Sequence, residues 1–393
     1  MNKLQDPVQA NLVYEGSVKK IWKPEKENDK LWFQFTDAYS VFDWGRMPDD
    51  IENKGKSLAL MGDYFFQYFA KPEVWQTLKT LELGLNQKWL KERFEHASYK
   101  NLSKNGMPNH FVKLIQDKDQ GDYLEVVQGT VPKAKVHKVS GINGTSIFTY
   151  DNLPSPMKEG SGERYLVPLE VVFRFGLPQG SSLIDRLKAN PDYATKALGL
   201  PSDTKLDADS FFPYPVLEFY TKLEPSDRLL SLQEAVLLSG LTGEQFDTLS
   251  EQTLMLAVAL RQFFKERNIE LWDGKFEFLV EYSKSGTRIL LADSIGPDEL
   301  RLIYKNCHLS KEILRQIYKD SNWAKELSSA KKSGGKDWKK KVSKDPEPLS
   351  SETKKIVDQL YPVLTNCIAG KELFGDCPDL DQYVKTLEKV LRV

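Results

Sequence analysis

Histidine and cysteine are scarce in this 393-residue chain, four of the first and three of the second. Cys307, Cys367 and Cys377 are odd in number and lack C-x-x-C spacing, which argues against a disulfide framework or a thiolate zinc site and for free thiols in a reducing compartment. His96, His110, His137 and His308 are scattered, so no histidine-based metal cluster is expected. Net charge is nearly absent as well. Fifty-five Lys and Arg oppose 56 Asp and Glu, a formal −1, and no global field draws the chain to nucleic acid or an anionic membrane. No apolar run approaches the roughly 18 residues a membrane helix needs, and the opening MNKLQDPVQANL has no signal-peptide core. These absences point to a cytoplasmic protein whose partners are small molecules, with no nucleic acid and no membrane among them. A homo-oligomer is left open.

What is present is an ordinary globular composition, 40% apolar and 28% charged, in a chain long enough for two or three domains and without an internal repeat. Residues 12–22 and 30–36 read as strands around a glycine turn at Gly16, a small antiparallel sheet. A hairpin carrying Gly16 and Lys19 can lie over nucleotide phosphates, or be an ordinary hairpin with solvated lysines. Lys54-Gly55-Lys56-Ser57 is not a Walker A loop, since Asp50 stands where that motif requires its first glycine. Ser57 reads instead as the cap of a helix with Leu58, Met61, Phe65, Tyr68 and Phe69 on one face. Further strands are expected between Lys113 and Tyr150.

The run from Tyr165 to Arg174 reads as a buried strand, yet it holds Glu170 and Arg174, which must pair with something or face a cleft. Ser181 and Ser182 open a helix after Gly180, an anion site or a plain N-cap. Two capping boxes, Ser231 with Glu234 and Thr242 with Gln245, start further helices, the second leading to a long helix that Asn268 ends. Residues 327–350 are basic and nearly free of apolar side chains, which suggests a mobile loop or linker, with amphipathic helices near 352–364 and 379–391.

The chain is organised around Asp273, Lys275 and Glu277, whose spacing of two sends all three side chains from one face of a strand. A three-residue hairpin loop at Lys284-Ser285-Gly286 would set Glu277 directly opposite Asp293. Two carboxylates and an ammonium side by side can hold a divalent cation and steer a polyphosphate. A solvated strand face of alternating charge is the other reading of D-x-K-x-E taken alone.

These residues, in order, resemble the phosphoribosylaminoimidazole-succinocarboxamide synthase (SAICAR synthetase) family over roughly residues 12–318. Leu166 to Arg174 is similar to the family's first signature and Leu271 to Phe278 to its second, D-x-K-x-E. Tyr14 to Lys19 is similar to Y-x-G-K-x-K, Ser40-Val-Phe-Asp43 to S-A-F-D, Lys54-Gly55 to K-G, Thr221 to Asp227 to T-K-x-E-x-H-D, and Pro297 to Arg301 to P-D-x-x-R. Departures are Ser17 for Lys, Ser226 for His, Leu279 for Gly, Ser294 for Glu and Leu300 for Ser.

The resemblance implies an α+β fold. An N-terminal antiparallel-sheet domain (1–165) would cover ATP, a central α+β domain (166–305) would bind nucleotide and substrate with ATP in the interdomain cleft, and a C-terminal helical segment (306–393) would follow. It implies ATP- and Mg²⁺-dependent amide formation between carboxyaminoimidazole ribonucleotide and L-aspartate. Glu277 and Asp293 would hold Mg²⁺. Gly16, Lys19, Lys222, Lys275 and the backbone near Leu166 would hold ATP. Arg174, Ser181 or Ser182, Asp298 and Arg301 would grip the ribonucleotide, and Ser40, Asp43 and Lys54 would shape the second substrate site. Lys222 and Lys275 would also act catalytically, with Asp227 as base for the amine. A small-molecule kinase, or a ligase of the same fold acting on another acid and amine, is the alternative.

Overall fold

The computed structural model describes residues 10–78, 80–117, 121–139, 145–151, 153, 160–333 and 338–391. The chain divides into two compact units, each built from separated stretches: 1–65, 111–127 and 295–393 in the first, 66–110 and 128–294 in the second. The continuous boundaries expected at 165 and 305 are therefore not those of the compact units. Long-range strand pairing contributes, because residues 123–127 return to pair with residues 30–34.

The first unit opens with an antiparallel sheet of β1 (Ala10–Glu15), β2 (Lys19–Pro24), β3 (Lys30–Phe35), β4 (Phe111–Asp117) and β5 (Gly121–Val127), in the order β1-β2-β3-β5-β4. At the first turn the Gly16 N–H donates to the Lys19 carbonyl at 2.8 Å. Trp32, Ile115 and Tyr123 form a buried cluster with Ala10 and Trp22 against it. Helix α1 (Lys54–Phe69) comes close to this sheet at Gly62, where a Cβ would sit 2.7 Å from a Leu124 methyl. The helix starts three residues before the expected cap at Ser57. The Gly55 N–H donates to Asp37 Oδ1 at 2.8 Å, so a carboxylate distant in sequence satisfies the first turn. A Cβ at Gly55 would meet the Phe35 carbonyl oxygen at 2.4 Å, which is why glycine follows Lys54.

The second unit begins with helices α2 (Pro72–Gln76), α3 (Gln87–Glu95) and α4 (Ala97–Asn105), followed by a hairpin of β6 (Lys133–Val139) and β7 (Thr145–Asp151). The run expected as one buried strand is two, β8 (Arg164–Leu166) and β9 (Leu169–Gly176). Pro168 lacks a ladder donor and breaks it. Helices α5 (Ser182–Ala189) and α6 (Tyr193–Lys196) lead to β10 (Phe211–Thr221) and β11 (Leu229–Leu230). Both predicted capping boxes are formed, at α7 (Leu232–Ser239) and at α8 (Gly243–Lys265). Asn268 then reverses the chain in a left-handed conformation, φ +57°. The long strand β12 (Glu270–Ser283) pairs with β9 through its first half and with β8 through its second, and also with β13 (Gly286–Ala292). β9, β10 and β12 share an apolar face of Val171, Phe173, Phe219 and Phe276, with the largely buried α8 among the elements packed around it.

The remainder of the first unit is β14 (Leu300–Tyr304), β15 (Cys307–His308) and the helices α9 (Glu312–Tyr318), α10 (Asn322–Lys332), α11 (Ser351–Ala369) and α12 (Leu380–Leu391). The terminal pair matches expectation. The basic segment does not begin as a loop at 327, because Trp323, Ala324, Leu327 and Ala330 recur at helical spacing and are buried through α10. Beyond it, Trp338–Lys341 forms a single 3₁₀ turn.

Candidate active site

Antiparallel pairing places Asp273 across from Arg174, Lys275 across from Val172, Val172 across from Glu218, and Glu170 across from Tyr220. Since cross-strand partners leave the same face of a sheet, β9, β10 and β12 together present a polar ladder opposite the apolar face. The ladder divides into two charge clusters of different character.

The first cluster is balanced. Arg174 donates to Glu218 Oε2 at 2.6 Å and to Asp273 Oδ2 at 3.1 Å, and Glu218 also accepts from Arg186 at 2.7 Å and from the Tyr193 hydroxyl at 2.8 Å. Burial opposes charge on Glu218, but Arg174 and then Arg186 outweigh it and hold the carboxyl below the usual range. Two guanidiniums face two carboxylates. Arg174 is buried in this network, a set of pairings the motif does not reveal. Ser181 is buried as the N-cap of α5 and accepts from the Leu183 N–H, as the plain-cap reading has it, while the Ser182 hydroxyl accepts from the Arg186 side chain.

The second cluster is not balanced. Lys222, the residue after β10, donates to Glu277 Oε1 at 2.5 Å, and Lys275 donates to Glu170 Oε1 at 2.5 Å. Asp293 is the fifth member. The hairpin turn has two residues, Lys284 and Ser285, with Ser283 paired to Gly286, so Glu277 faces Ala292 and not Asp293 as expected. Strand alternation would then send Asp293 to the other face. Instead Asp293 leaves the strand in a left-handed conformation, φ +64°, and its charge acts on Lys222, Lys275 and Glu277 alike. The two acids meet through a backbone kink that sequence pattern does not announce. Asp is among the few non-glycine residues that take this conformation routinely.

Three carboxylates surround two ammoniums, an excess of one negative charge. That excess explains why acid and lysine shift the same way. Burial raises the Glu277 pKa and Asp293 raises it further, despite Lys222 and Lys275 nearby. On Lys222 burial works against the charge, but Glu277, then Asp293 and Glu170, outweigh it and hold the ammonium charged. Lys275 is held charged against burial chiefly by Glu170 and Glu277. Within this group of five side chains carboxylates outnumber ammoniums by one, in keeping with a divalent cation site and unlike the Arg174 cluster.

Other expected residues of this unit sit as follows. The Leu166 N–H donates to Thr130, the Val167 N–H to Phe278, and the Pro168 carbonyl accepts from Lys222, so much of the backbone expected to hold adenine is bonded within the protein. Asp227 is exposed in the bend before β11, where the Arg228 side chain binds Glu224 and Glu234.

The first unit holds the rest. The Lys19 ammonium lies 4.5 Å from the centre of the Phe33 ring. Lys54, 1% exposed, pairs with Asp298 at 2.9 Å, and Asp298 accepts from the Tyr361 hydroxyl at 2.6 Å. Burial would raise the Asp298 pKa, but Lys54 and Lys311 bring it below the usual range. Ser40 accepts from the Gly45 N–H at 3.3 Å, and Asp43 pairs with Lys331 at 2.7 Å. Arg301 lies on β14. Pattern reading passed over Glu218, Tyr361 and Lys331 as site residues. Glu170 carried a signal, a lone acid in an apolar run, but its lysine partner came from a distant strand.

The SAICAR synthetase family matches residues 12–330. The chain belongs to this family. It is accordingly an ATP-dependent ligase of purine biosynthesis, and the kinase alternative is not favoured. A relative from Archaeoglobus fulgidus that bears the synthase name is 31% identical over 91% of this chain and 93% of its own length. The phosphoribosylaminoimidazole-succinocarboxamide synthase of Thermoplasma acidophilum is 27% identical over 92% of this chain and 99% of its own. Among solved structures, the SAICAR synthase of Saccharomyces cerevisiae, complexed with SAICAR, superposes with a TM-score of 0.55 at 19% identity, covering 92% of this chain and 96% of that one. SAICAR synthetases thus share its α+β fold. Among the described residues no helix is long and apolar enough to cross a membrane.

Proposed function

We propose that the unbalanced cluster of Glu170, Lys222, Lys275, Glu277 and Asp293 is the phosphoryl-transfer site at which this ligase activates carboxyaminoimidazole ribonucleotide for attack by L-aspartate, as a cytoplasmic enzyme. The excess negative charge carries the reading. Glu277 and Asp293 would hold Mg²⁺, which when bound offsets phosphate charge. Lys222 and Lys275, kept protonated by their acids, bring fixed positive charge to the transferring phosphoryl group without reorganisation.

In the reaction a carboxylate oxygen of the ribonucleotide attacks the γ-phosphorus of ATP, and the bond to ADP breaks. The aspartate amine then attacks the acyl phosphate carbon, phosphate leaves with the bonding pair, and the amine proton passes to a base. Asp227 is exposed beside the cluster's strand end and is the candidate base. Positioning and charge neutralisation are the protein's main contributions. Gly16, Lys19 and the backbone at Leu166 serve the nucleotide. Arg301, Asp298, Ser181 and Ser182 serve the ribonucleotide, with Arg174 bracing the sheet beneath, and Ser40, Asp43 and Lys54 serve the amino acid.

A coupled assay of ADP release tests the reading. Turnover that requires both the carboxylated ribonucleotide and L-aspartate is expected; ADP release indifferent to aspartate would overturn it. The raised Glu277 pKa adds a pH signature. A proton and a cation compete for the same oxygens, so Mg²⁺·ADP affinity starts to fall at a higher pH than for an ordinary glutamate, whose pKa is 4.5. The slope is at most about tenfold per pH unit for one proton. Calorimetric titrations from pH 8 downward should show this loss in the wild type relative to Glu277→Gln, and parallel curves would remove Glu277 from the cation.

A further inference from the structure

The loop carrying Ser40 and Asp43 holds two non-glycine residues with left-handed backbones, Phe42 at φ +53° and Asp43 at φ +57°. Asp takes this conformation readily, but a bulky residue such as Phe42 persists in it only where the surroundings over-determine it. The loop's own bonds are few: Trp44 N–H to Val41 at 3.1 Å and Gly45 N–H to Ser40 Oγ at 3.3 Å. Further contacts come from both ends of α10 and the 3₁₀ turn after it, and Lys311 and Arg315 also act on Asp43 electrostatically. Trp44 meets Trp323 edge-on at 5.7 Å between ring centres and Trp338 at 6.4 Å, while Phe42 meets Trp323 at 6.1 Å. Lys331 joins the two sides, with its ammonium 2.7 Å from Asp43 Oδ2 and 4.9 Å from the centre of the Trp338 ring. Lys341 donates to Ser333 at 2.9 Å and ties the turn back to the helix end. Lys331 and Trp338 lie just past the family match, which ends at residue 330.

We propose that Lys331 and Trp338 are positioning residues that hold the Ser40–Gly45 loop in its left-handed form, and so set the affinity for the amino-acid substrate. This rests on the reading that Ser40 and Asp43 serve that substrate. The division of labour follows from exposure. Asp43 is 86% exposed and Lys331 33%, so their ion pair contributes modestly. The ring contacts of the half-buried Trp44 and Trp338 contribute more.

The test compares Lys331→Met, which keeps the apolar stem over Trp338, with Trp338→Ala and with Lys331→Arg as the conservative rescue. The KM for L-aspartate should rise about threefold in Lys331→Met, the scale of an exposed pair, and about tenfold in Trp338→Ala, the scale of a lost aromatic contact. The KM for ATP should stay within about twofold in both, and Lys331→Arg should behave as the wild type. Amide hydrogen exchange of residues 40–45 should quicken in the same order. If wild-type turnover does not depend on aspartate, the functional reading has failed, and exchange alone decides whether the clamp exists. If turnover is normal while the aspartate KM and the exchange of the loop are unmoved by both variants, the clamp is refuted. An equal rise in the KM of ATP and aspartate also refutes it, because a loop-specific device cannot act that broadly.

Discussion

Glu277→Gln is expected to lower kcat/KM for Mg·ATP about a thousandfold, the scale on which removal of one preorganised charge acts in a water-excluded site, while leaving the protein at least as resistant to heat as the wild type. The two halves of that expectation have one cause. Glu277 is 5% exposed, and its pKa is raised by burial and then by Asp293, so the folded protein favours its neutral form more than the unfolded chain does. A group of this kind costs the folded state stability progressively as pH rises from its unfolded pKa, and in full above its folded pKa. Glutamine has the shape of the protonated acid and leaves two carboxylates facing two ammoniums. Loss of activity with unchanged or raised Tm therefore marks a residue kept for the cation and not for the core. Near-normal turnover, or a cooperative loss of stability, would each contradict this placement. Comparing melting at pH 5 and pH 8 sharpens the test, since the difference between variant and wild type should shrink toward the acid end, where wild-type Glu277 takes up its proton.

Arg174→Met is expected to do the opposite. It should destabilise the protein by about 3–5 kcal/mol, the usual result of removing one partner from a buried ion pair. The Arg174 side chain is 8% exposed and bridges Glu218 and Asp273, whose own side chains are 1% and 10% exposed. Methionine restores most of the volume and none of the charge. Glu218 retains Arg186 and Tyr193. Denaturant unfolding measures the effect, and substrate KM values for the folded fraction separate the two roles. A stable variant with a sharply raised KM for the ribonucleotide would mean that the guanidinium serves ligand first, as the motif implies, and that the buried pairing is secondary.

The contrast between these two residues shows how far the sequence could be read. Asp273, Lys275 and Glu277 were placed on one strand face by their spacing alone, and Glu170 and Arg174 stood out as charges in an apolar run. Alternation of period two is enough for that, because it fixes which side of the sheet each residue leaves. It says nothing about which charges meet. Arg174 is balanced by Glu218, from a strand more than forty positions away, whereas Glu277 ends among acids. One arginine became architecture and one glutamate became a cation ligand candidate. Cross-strand pairing decided this.

Local signals fared best where the physics is local. The capping boxes at Ser231 and Thr242 and the stop at Asn268 need only residues within a turn of one another, and each formed as read. The hairpin register was one residue off because Lys284-Ser285-Gly286 is compatible with both a two- and a three-residue turn. The start of α1 was missed because its donor is met by Asp37, which no local pattern links to Gly55. The basic run reads as loop because lysines mask a periodicity carried by Trp323, Ala324, Leu327 and Ala330.

The sequence by itself determined the secondary structure around β12, the family, and the residue types available for phosphoryl chemistry. Tertiary structure alone decided that Asp293 joins Glu277 through a left-handed residue at the strand end, that one charge cluster is neutral and the other is not, and that Lys331 reaches Asp43. The reason is that Coulomb interactions depend on distances through space, and those are set by strand register and chain return, neither of which is encoded within any single stretch of the chain.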